Sequence, residues 1–213
     1  DSYDYFFVPK FSFEIDKSVF SKLSTVETTI EKFIANQNIN LIYYRTTGGL
    51  YWKVFTDFSP KFLSNGKPST SSRETTMSFL EKSHVTAAIA ILSSNLFWWW
   101  YTISSNLRDL NPTDIKDFPV PKSALNDLEL IDLGQKYIQD MNSKSTMLVR
   151  MQKHKGKTET QSFKIRKSKH IIDEIDAVLA QHYGFTDEEL DFIINYDIKY
   201  RMGSELFDGD RDA

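Results

Sequence analysis

The pattern of apolar and polar positions near the start of the chain predicts a helix. Residues 24–37 open with Ser and Thr, and Ile30, Phe33 and Ile34 follow at helical spacing. Hydroxyl side chains before a run of period 3.6 are typical of a capped amphipathic helix. We therefore expect a helix over residues 24–37.

The pattern then changes to one that favours strands. Residues 39–55 place β-branched and aromatic side chains on both sides of Thr47-Gly48-Gly49, which indicates a β-hairpin. Residues 59–76 are rich in Ser, Thr, Pro and Gly and predict a loop.

A second helical pattern begins at Ser83 or His84 and should end near residues 104–106. Within it, residues 97–101 are all aromatic. Successive helical residues are about 100° apart, so one core contact cannot bury all of these rings. Trp99 continues the apolar stripe and is expected in the core. We expect Trp98 and Trp100 to contact the C-terminal helices or another domain.

The remaining pattern predicts a helical C-terminal region. Asn111 is a candidate N-cap with Pro112 at N1 and Asp114 at N3, and the prolines of residues 119–121 mark a boundary. Two long apolar stripes then flank a basic connector, which indicates an antiparallel helix pair, and Thr186 opens a short terminal helix. We predict an α+β fold with a mixed domain over 1–122 and a helical region over 123–213.

Charge is strongly segregated although the net charge is only −3. Residues 144–169 carry nine basic side chains against Glu159 alone, whereas residues 170–213 carry three basic and twelve acidic side chains. A basic run of this kind can neutralise phosphates, or it can be a solvated surface.

No catalytic, metal or cofactor site is indicated. The chain has no Cys, its four His lack metal-ligand spacing, and Gly48-Gly49 lacks the residues of a phosphate-binding loop. Two Asp-Ile-Lys triplets, at Asp114 and Asp197, match half of a common nuclease signature, but Asp114 already has a capping role. No stretch approaches the ~18 apolar residues of a membrane span, and no secretory signal is visible. We expect a cytoplasmic protein, and the missing initiator Met suggests a fragment of a longer one.

Recognition chemistry is better represented than catalysis. Arg45 and Lys53 alternate with Tyr and Trp around the hairpin, and residues 69–76 combine hydroxyls with one Arg and one Glu. Such side chains can reach base edges in a DNA groove, or they can be ordinary solvated residues.

Several segments together resemble a known family. They are "YYRTTGGLYWKVFTDFSP", "AIAILSSNLFWWWYT", "LRDLNPTDIKDFPVP" and "KHIIDEIDAVLAQHYGFTDEELDFIINYDIKYRMG". In order and spacing they are similar to the C-terminal region of bacterial Type IIG-like restriction-modification DNA methyltransferases, which are N6-adenine-specific enzymes with a fused target-recognition domain. "FPVP" after an aromatic helix also resembles recognition domains of Type I specificity subunits.

The resemblance implies that this chain is the specificity module of such an enzyme. The family methylates adenine with S-adenosylmethionine after flipping the base out of the duplex. Its catalytic and cofactor motifs lie upstream and are absent here, and Asn111-Pro112 lacks the second Pro and the aromatic residue of the catalytic motif. Catalysis and S-adenosylmethionine are therefore expected in the missing catalytic domain, and the partners are that domain and double-stranded DNA.

The resemblance also selects candidate DNA contacts. The candidates for base readout are Ser72, Arg73, Glu74 and Thr75, followed by Arg45, Thr47 and Lys53. The candidates for backbone contacts are Lys153, Lys155, Lys157, Lys164, Arg166 and Lys167, and Arg108 is a lesser candidate.

Two other functions remain as alternatives. The helical region and aromatic helix could dock a separate methylase subunit without touching DNA, and the charge segregation is compatible with that. A nuclease would need metal-dependent cleavage that is lost in Asp114→Ala or Asp197→Ala.

Overall fold

The computed structural model describes residues 8–47, 51–153 and 156–203. These residues form α-helices together with two small antiparallel sheets, which confirms the α+β class. No helix in the described ranges combines the length and the apolar composition needed to cross a bilayer.

The first helix lies earlier than the sequence pattern predicts. Helix α1 spans Glu14–Ser24, and Asp16 caps it by accepting the backbone N–H groups of Ser12 and Phe13. The prediction of a helix over residues 24–37 is wrong, because α1 ends at Ser24 and the rest of that segment contains only a 3-10 helix, Ile30–Phe33. Isolated β-bridges at Thr29 and Ile34 take the flanking backbone, so tertiary pairing overrides the local helical pattern.

The first strand of the predicted hairpin is present in a three-stranded sheet, but its partner is short, because residues 51–54 are not in a strand. Strand β1 spans Leu41–Arg45 and pairs antiparallel with β2, Phe55–Thr56. On its other side β1 pairs with β5, Glu74–Ser78. The order is therefore β2-β1-β5. Gly48 and Gly49 of the expected turn lie outside the described residues.

Residues 59–76 are not one loop, which corrects the sequence prediction. They contain strands β3, Phe62–Ser64, and β4, Lys67–Pro68, before β5 begins at Glu74. The turn between β3 and β4 is Asn65-Gly66, both with positive φ. Asn-Gly with this backbone geometry is the strongest short hairpin signal in a sequence.

The long aromatic helix is two helices. Helix α2 spans Lys82–Ser93 and α3 spans Asn95–Ser104, separated by Ser94 in an extended conformation. The Ser94 hydroxyl donates to the Ile91 carbonyl at 2.6 Å and accepts from the Phe97 N–H at 3.0 Å. One serine therefore ends the first helix and caps the second, so the expectation of a single helix to residues 104–106 is wrong.

The two capping boxes read from the sequence are confirmed. Asn111 and Asp114 cap α4, Pro112–Lys116, and Thr186 with Glu189 caps α8, Asp187–Asn195. A short helix α5, Lys122–Leu125, follows the proline-rich boundary, and α9, Ile198–Met202, is the last described helix.

The basic connector between the two long C-terminal helices contains two strands, which the predicted helical region over 123–213 does not include. Helix α6 spans Leu128–Ser143 and α7 spans Lys169–Tyr183, and they pack together. Between them strands β6, Thr146–Gln152, and β7, Gly156–Ser162, form a hairpin, which corrects the prediction. Because β7 also pairs with β3, the second sheet has the order β4-β3-β7-β6.

All three consecutive tryptophans are buried. Trp99 is a core residue as predicted, and its Nε1 donates to Asp16 Oδ1 at 2.7 Å. Trp100 stacks on Phe20 of α1 with ring centroids 6.1 Å apart and packs edge-on against Phe118 with centroids 5.8 Å apart. Trp98 does face the C-terminal end of the chain, because its ring lies 5.6 Å from the guanidinium of Arg201 in α9. The core cluster that contains these rings includes side chains from both sides of residue 122.

Candidate functional site

A cleft of about 540 Å³ is lined by residues of both sheets. Strands β1 and β5 contribute side chains from the first sheet, and β3, β6 and β7 contribute them from the second. Residues 51–54, the segment after β7 and helix α9 also contribute, as do Thr47, Pro60, Lys61, Ser71 and Arg73. The cleft therefore joins parts of the chain that are far apart in sequence.

The charge of this cleft is strongly positive. Glu74 is the one acidic side chain among the described residues that line it. The basic lining residues are Arg45, Lys53, Lys61, Arg73, Arg150, Lys164, Arg166 and Arg201. A concave surface with one sign of charge focuses the electrostatic potential and attracts counter-ions, here anions.

Three arginines of the cleft lie close enough for their charges to interact. Burial lowers the pKa of Arg45, the charges of Arg73 and Arg150 lower it further, and the charge of Glu74 acts in the opposite direction. The Nε of Arg45 is buried and has no hydrogen-bond partner. Within the described part of the chain, none of these three arginines forms an ion pair. Guanidinium groups without an ion pair present donor forks that match phosphate or carboxylate oxygens.

Five of the seven candidates for base readout line the cleft. These are Arg45, Thr47, Lys53, Arg73 and Glu74. The other two do not line it: Ser72 is exposed, and Thr75 is half-buried in β5. Alternation along a strand explains the split between Glu74 and Thr75, since consecutive side chains point to opposite faces.

These side chains differ in how far their contacts within the protein restrain them. Glu74 Oε1 accepts the Ser59 hydroxyl at 2.9 Å. Lys53 Nζ lies 4.5 Å from the centroid of the Tyr101 ring, and burial lowers the pKa of this lysine. The Thr47 hydroxyl is buried and has no hydrogen-bond partner. Lys53 is thus held by a cation–π contact, whereas Thr47 Oγ1 retains its hydrogen-bonding capacity.

The candidates for backbone contacts are divided between the cleft and other surfaces. Lys164 and Arg166 line the cleft. Lys153, Lys157 and Lys167 are exposed but do not line it.

Two of the candidate cations, Arg108 and Lys157, lie close to a carboxylate. Lys155 lies outside the described residues. Arg108, the lesser candidate, is exposed away from the cleft, with its Nε 3.9 Å from Asp109 Oδ2. Lys157 Nζ similarly has a carboxylate partner, Glu159 Oε1, at 2.8 Å.

The prediction omits three cationic residues that line the cleft, Lys61, Arg150 and Arg201. Arg150 belongs to the basic segment, but only the pairing of β6 with β7 reveals that it and Leu148 line the cleft while Val149 between them does not. Arg201 follows Tyr200, the same interleaving of aromatic and basic residues that marks the first hairpin. That signal could have identified this pair from the sequence.

Arg201 is a buried cation with an aromatic environment. Its guanidinium lies 3.9 Å from the centroid of the Trp52 ring, and its Nη1 donates to Asn95 Oδ1. Trp52 Nε1 in turn donates to the Arg201 carbonyl at 2.9 Å. Burial lowers the pKa of Arg201 to about 10, so it stays protonated at neutral pH. These contacts fix α9 against the segment that connects β1 to β2.

The aspartates of the two Asp-Ile-Lys triplets both make hydrogen bonds that stabilise the fold. Asp114 belongs to the capping box of α4, and Asp197 Oδ2 accepts the Trp98 Nε1–H at 3.4 Å. Across residues 8–47, 51–153 and 156–203, no three His, Asp or Glu side chains are grouped so that they could hold a metal ion.

A hydrogen-bonded Ser–His–Asp chain lies outside the cleft. Ser123 Oγ is 3.2 Å from His182 Nδ1, and His182 Nε2 is 3.0 Å from Asp127 Oδ2. Asp127 is also the N-cap of α6 and accepts the N–H groups of Glu129 and Leu130. These residues join the ends of α5, α6 and α7, and we assign them to helix packing.

The described lining of the cleft thus combines basic side chains with the aromatic rings of Tyr51, Trp52 and Tyr200. Comparison of the chain with protein-family models, curated proteins and solved structures gave no significant match.

Proposed function

We propose that this chain is the DNA target-recognition module of a restriction-modification adenine methyltransferase. In this proposal the catalytic motifs and S-adenosylmethionine belong to the rest of the parent enzyme, and the module acts on cytoplasmic DNA. The observation that carries the proposal is the cluster of Arg45, Arg73 and Arg150, which lies in a cleft with one acidic lining residue and lacks ion-pair partners among the described residues. The resemblance of the sequence segments to this enzyme class supports it.

The two kinds of DNA contact would use different parts of the cleft. Lysines and arginines at its edge, including Arg150 and Lys164, would hold phosphates and position the duplex. Arg73 and Arg45 would pair with guanine edges, and Glu74 would accept from cytosine N4. Ser72, which is exposed next to Arg73, would contribute a hydroxyl from outside the cleft.

The salt dependence of duplex binding tests the proposal. We expect the isolated chain to bind a duplex at low salt. The logarithm of the association constant should fall linearly with the logarithm of the salt concentration. Replacing one phosphate-contacting cation removes about one counterion, so Arg150→Ala should lower the slope by about 0.9 for every sequence. Fluorescence anisotropy across a salt series measures this slope.

Lys136→Ala is the matched control, because it removes the same charge from an exposed residue of α6 that pairs with Asp132. Equal slopes for Arg150→Ala, Lys136→Ala and the wild type would refute the assignment. In the parent enzyme, Arg73→Ala should lower affinity for the recognised sequence by ~5- to 150-fold, which corresponds to the usual ~1–3 kcal/mol of a bidentate base contact. Unchanged sequence preference in Arg73→Ala and Glu74→Ala would show that these residues do not read bases.

A second candidate function is a docking module for a separate methylase polypeptide. The specific observation is β6, an edge strand that exposes Met147, Leu148, Val149 and Met151, the last with 78% of its surface accessible. Apolar edge strands favour pairing with another chain. Tight association with a methylase polypeptide, together with no mobility shift on any duplex at low salt, would favour this function over DNA binding.

A further inference from the structure

The aromatic residues at the α9 end of the cleft form an ordered arrangement. The rings of Tyr51 and Tyr200 are stacked, with centroids 6.0 Å apart and planes inclined by 16°. Tyr200 is 67% exposed and Tyr51 is 37% exposed, and both line the cleft. A pair of large rings is therefore held parallel at a surface that water reaches.

This pair is fixed from beneath by buried groups. The edge of the Tyr51 ring packs on Trp98, with centroids 6.2 Å apart, and the Tyr51 carbonyl accepts the Arg201 Nε–H at 3.4 Å. Arg201 is itself clamped between the Trp52 and Trp98 rings. Since Arg201 follows Tyr200 directly in α9, the buried guanidinium anchors the helix that carries the exposed ring. The Tyr51–Tyr200 pair is therefore already ordered in the free protein. A ligand that stacks on this pair does not lose binding free energy in ordering the rings.

The size of the cleft limits what can enter it. A volume of about 540 Å³ lies in the range of pockets that enclose small ligands. A DNA duplex is wide enough to admit an α-helix into its major groove, so it must lie across the edge of such a cleft rather than inside it. A single strand is narrow enough to enter, and its bases are free to stack.

The chemistry of the lining matches that of a single strand. Proteins bind single-stranded nucleic acid by combining a positively charged groove for the backbone with aromatic side chains on which bases stack. Arg150 and Lys164, both exposed, line the same cleft as the Tyr51–Tyr200 pair. Phosphates on either side of a stacked base would thus meet cations of the same cleft.

We propose that the cleft binds a single DNA strand, with one base stacked on the exposed ring of Tyr200. This proposal rests on the proposed function in one respect, which is that the cations of the cleft hold phosphates. It adds an unpaired strand as a class of ligand. It also adds a contact with Tyr200, which a site for duplex DNA alone would not require. Stacking accepts any base, so this contact would strengthen binding without selecting a sequence.

The test compares strands of equal charge with and without bases. The probes are oligothymidylate and an oligomer of abasic deoxyribose phosphates of the same length, each labelled for fluorescence anisotropy. A stacked base contributes ~1–3 kcal/mol, so the wild type should bind oligothymidylate ~5- to 150-fold more tightly than the abasic strand. Tyr200→Leu should remove most of this ratio while its affinity for the abasic strand stays unchanged, and Tyr200→Trp should preserve the ratio.

A matched control is Phe13→Leu, which removes an aromatic ring that is 62% exposed and lies outside the cleft. This variant should bind both strands as the wild type does. The thermal midpoint of Tyr200→Leu should also match that of the wild type, because the ring it removes is mostly exposed.

The outcomes separate this proposal from the proposed function. If the wild type binds a duplex but prefers neither strand, or if Tyr200→Leu weakens both strands equally, the stacking site is refuted and duplex recognition stands. If base-dependent strand binding occurs without duplex binding, the stacking site stands and duplex recognition is refuted. If no nucleic acid binds at low salt, both are refuted.

Discussion

Replacing Asp176 with Asn should change how the stability of this protein depends on pH. Asp176 is a buried carboxyl group in α7 that accepts the backbone N–H groups of Asn95 and Leu96, both at 3.0 Å, and the Asn95 side-chain amide at 2.7 Å. It thereby satisfies two of the N–H groups that are unpaired at the start of α3. Burial nevertheless raises the pKa of Asp176 from 3.8 to about 6, because the hydrogen bonds only partly offset the loss of hydration.

The sign and size of the effect follow from this shift. The unfolded carboxyl releases its proton near pH 3.8, whereas the folded one retains it until about pH 6. Its contribution to the free energy of unfolding is therefore fully present below the unfolded pKa and is lost as the pH rises through the folded pKa. At about 1.36 kcal/mol per pKa unit the total loss is about 3 kcal/mol, of which about 2 kcal/mol falls between about pH 4.5 and pH 7.

Urea unfolding followed by tryptophan fluorescence measures this contribution as a difference. The free energy of unfolding of the wild type, relative to Asp176→Asn, should fall by about 2 kcal/mol from about pH 4.5 to pH 7. Asp57→Asn, which alters an exposed carboxyl outside this network, should show no such trend. A difference between wild type and Asp176→Asn that varies by less than about 0.5 kcal/mol over this range would refute the reasoning.

Two substitutions of small residues should also lower stability. A Cβ at Gly134 would lie 2.5 Å from the Thr86 carbonyl oxygen, so Gly134→Ala should destabilise the α2–α6 contact by ~1–3 kcal/mol in thermal unfolding, although Ala favours helices. A stability equal to that of the wild type would mean that the two helices separate easily. Thr186→Ala should cost ~1 kcal/mol because the Thr186 hydroxyl accepts the Glu189 N–H at 3.2 Å, whereas Thr186→Ser should keep the cap and most of the stability. Equal losses in the Ala and Ser variants would exclude capping as the cause.

Local signals were sufficient for the parts of the fold that local chemistry determines. The capping boxes at Asn111 and Thr186 and strand β1 could be read directly, because each depends on residues close in sequence. The structure of residues 24–37 could not be predicted from local signals. The backbone of Thr29 pairs with Pro119 and that of Ile34 pairs with Phe79, and no local pattern reveals these pairings.

The candidate site was predictable to the extent that its residues lie in conspicuous segments. Arg45, Lys53 and Arg73 stand out because aromatic or hydroxyl residues surround them. Arg150 and Arg201 become part of the same cleft only through the pairing of β7 with β3 and the anchoring of α9 by buried aromatic rings. Proximity created by long-range pairing has no counterpart in local sequence spacing.

The pairing of β3 with β7 also determines when during folding the cleft can form. Phe62 pairs with Thr160, so the loop that must close between them contains most of the helices. Contacts of such large sequence separation slow folding, because the entropy of loop closure is lost before the contact is gained. During synthesis on the ribosome, the basic lining cannot be assembled until β7 has emerged. The nascent chain would therefore acquire its charge-focusing surface only after the first sheet and the tryptophan-bearing helices have been made.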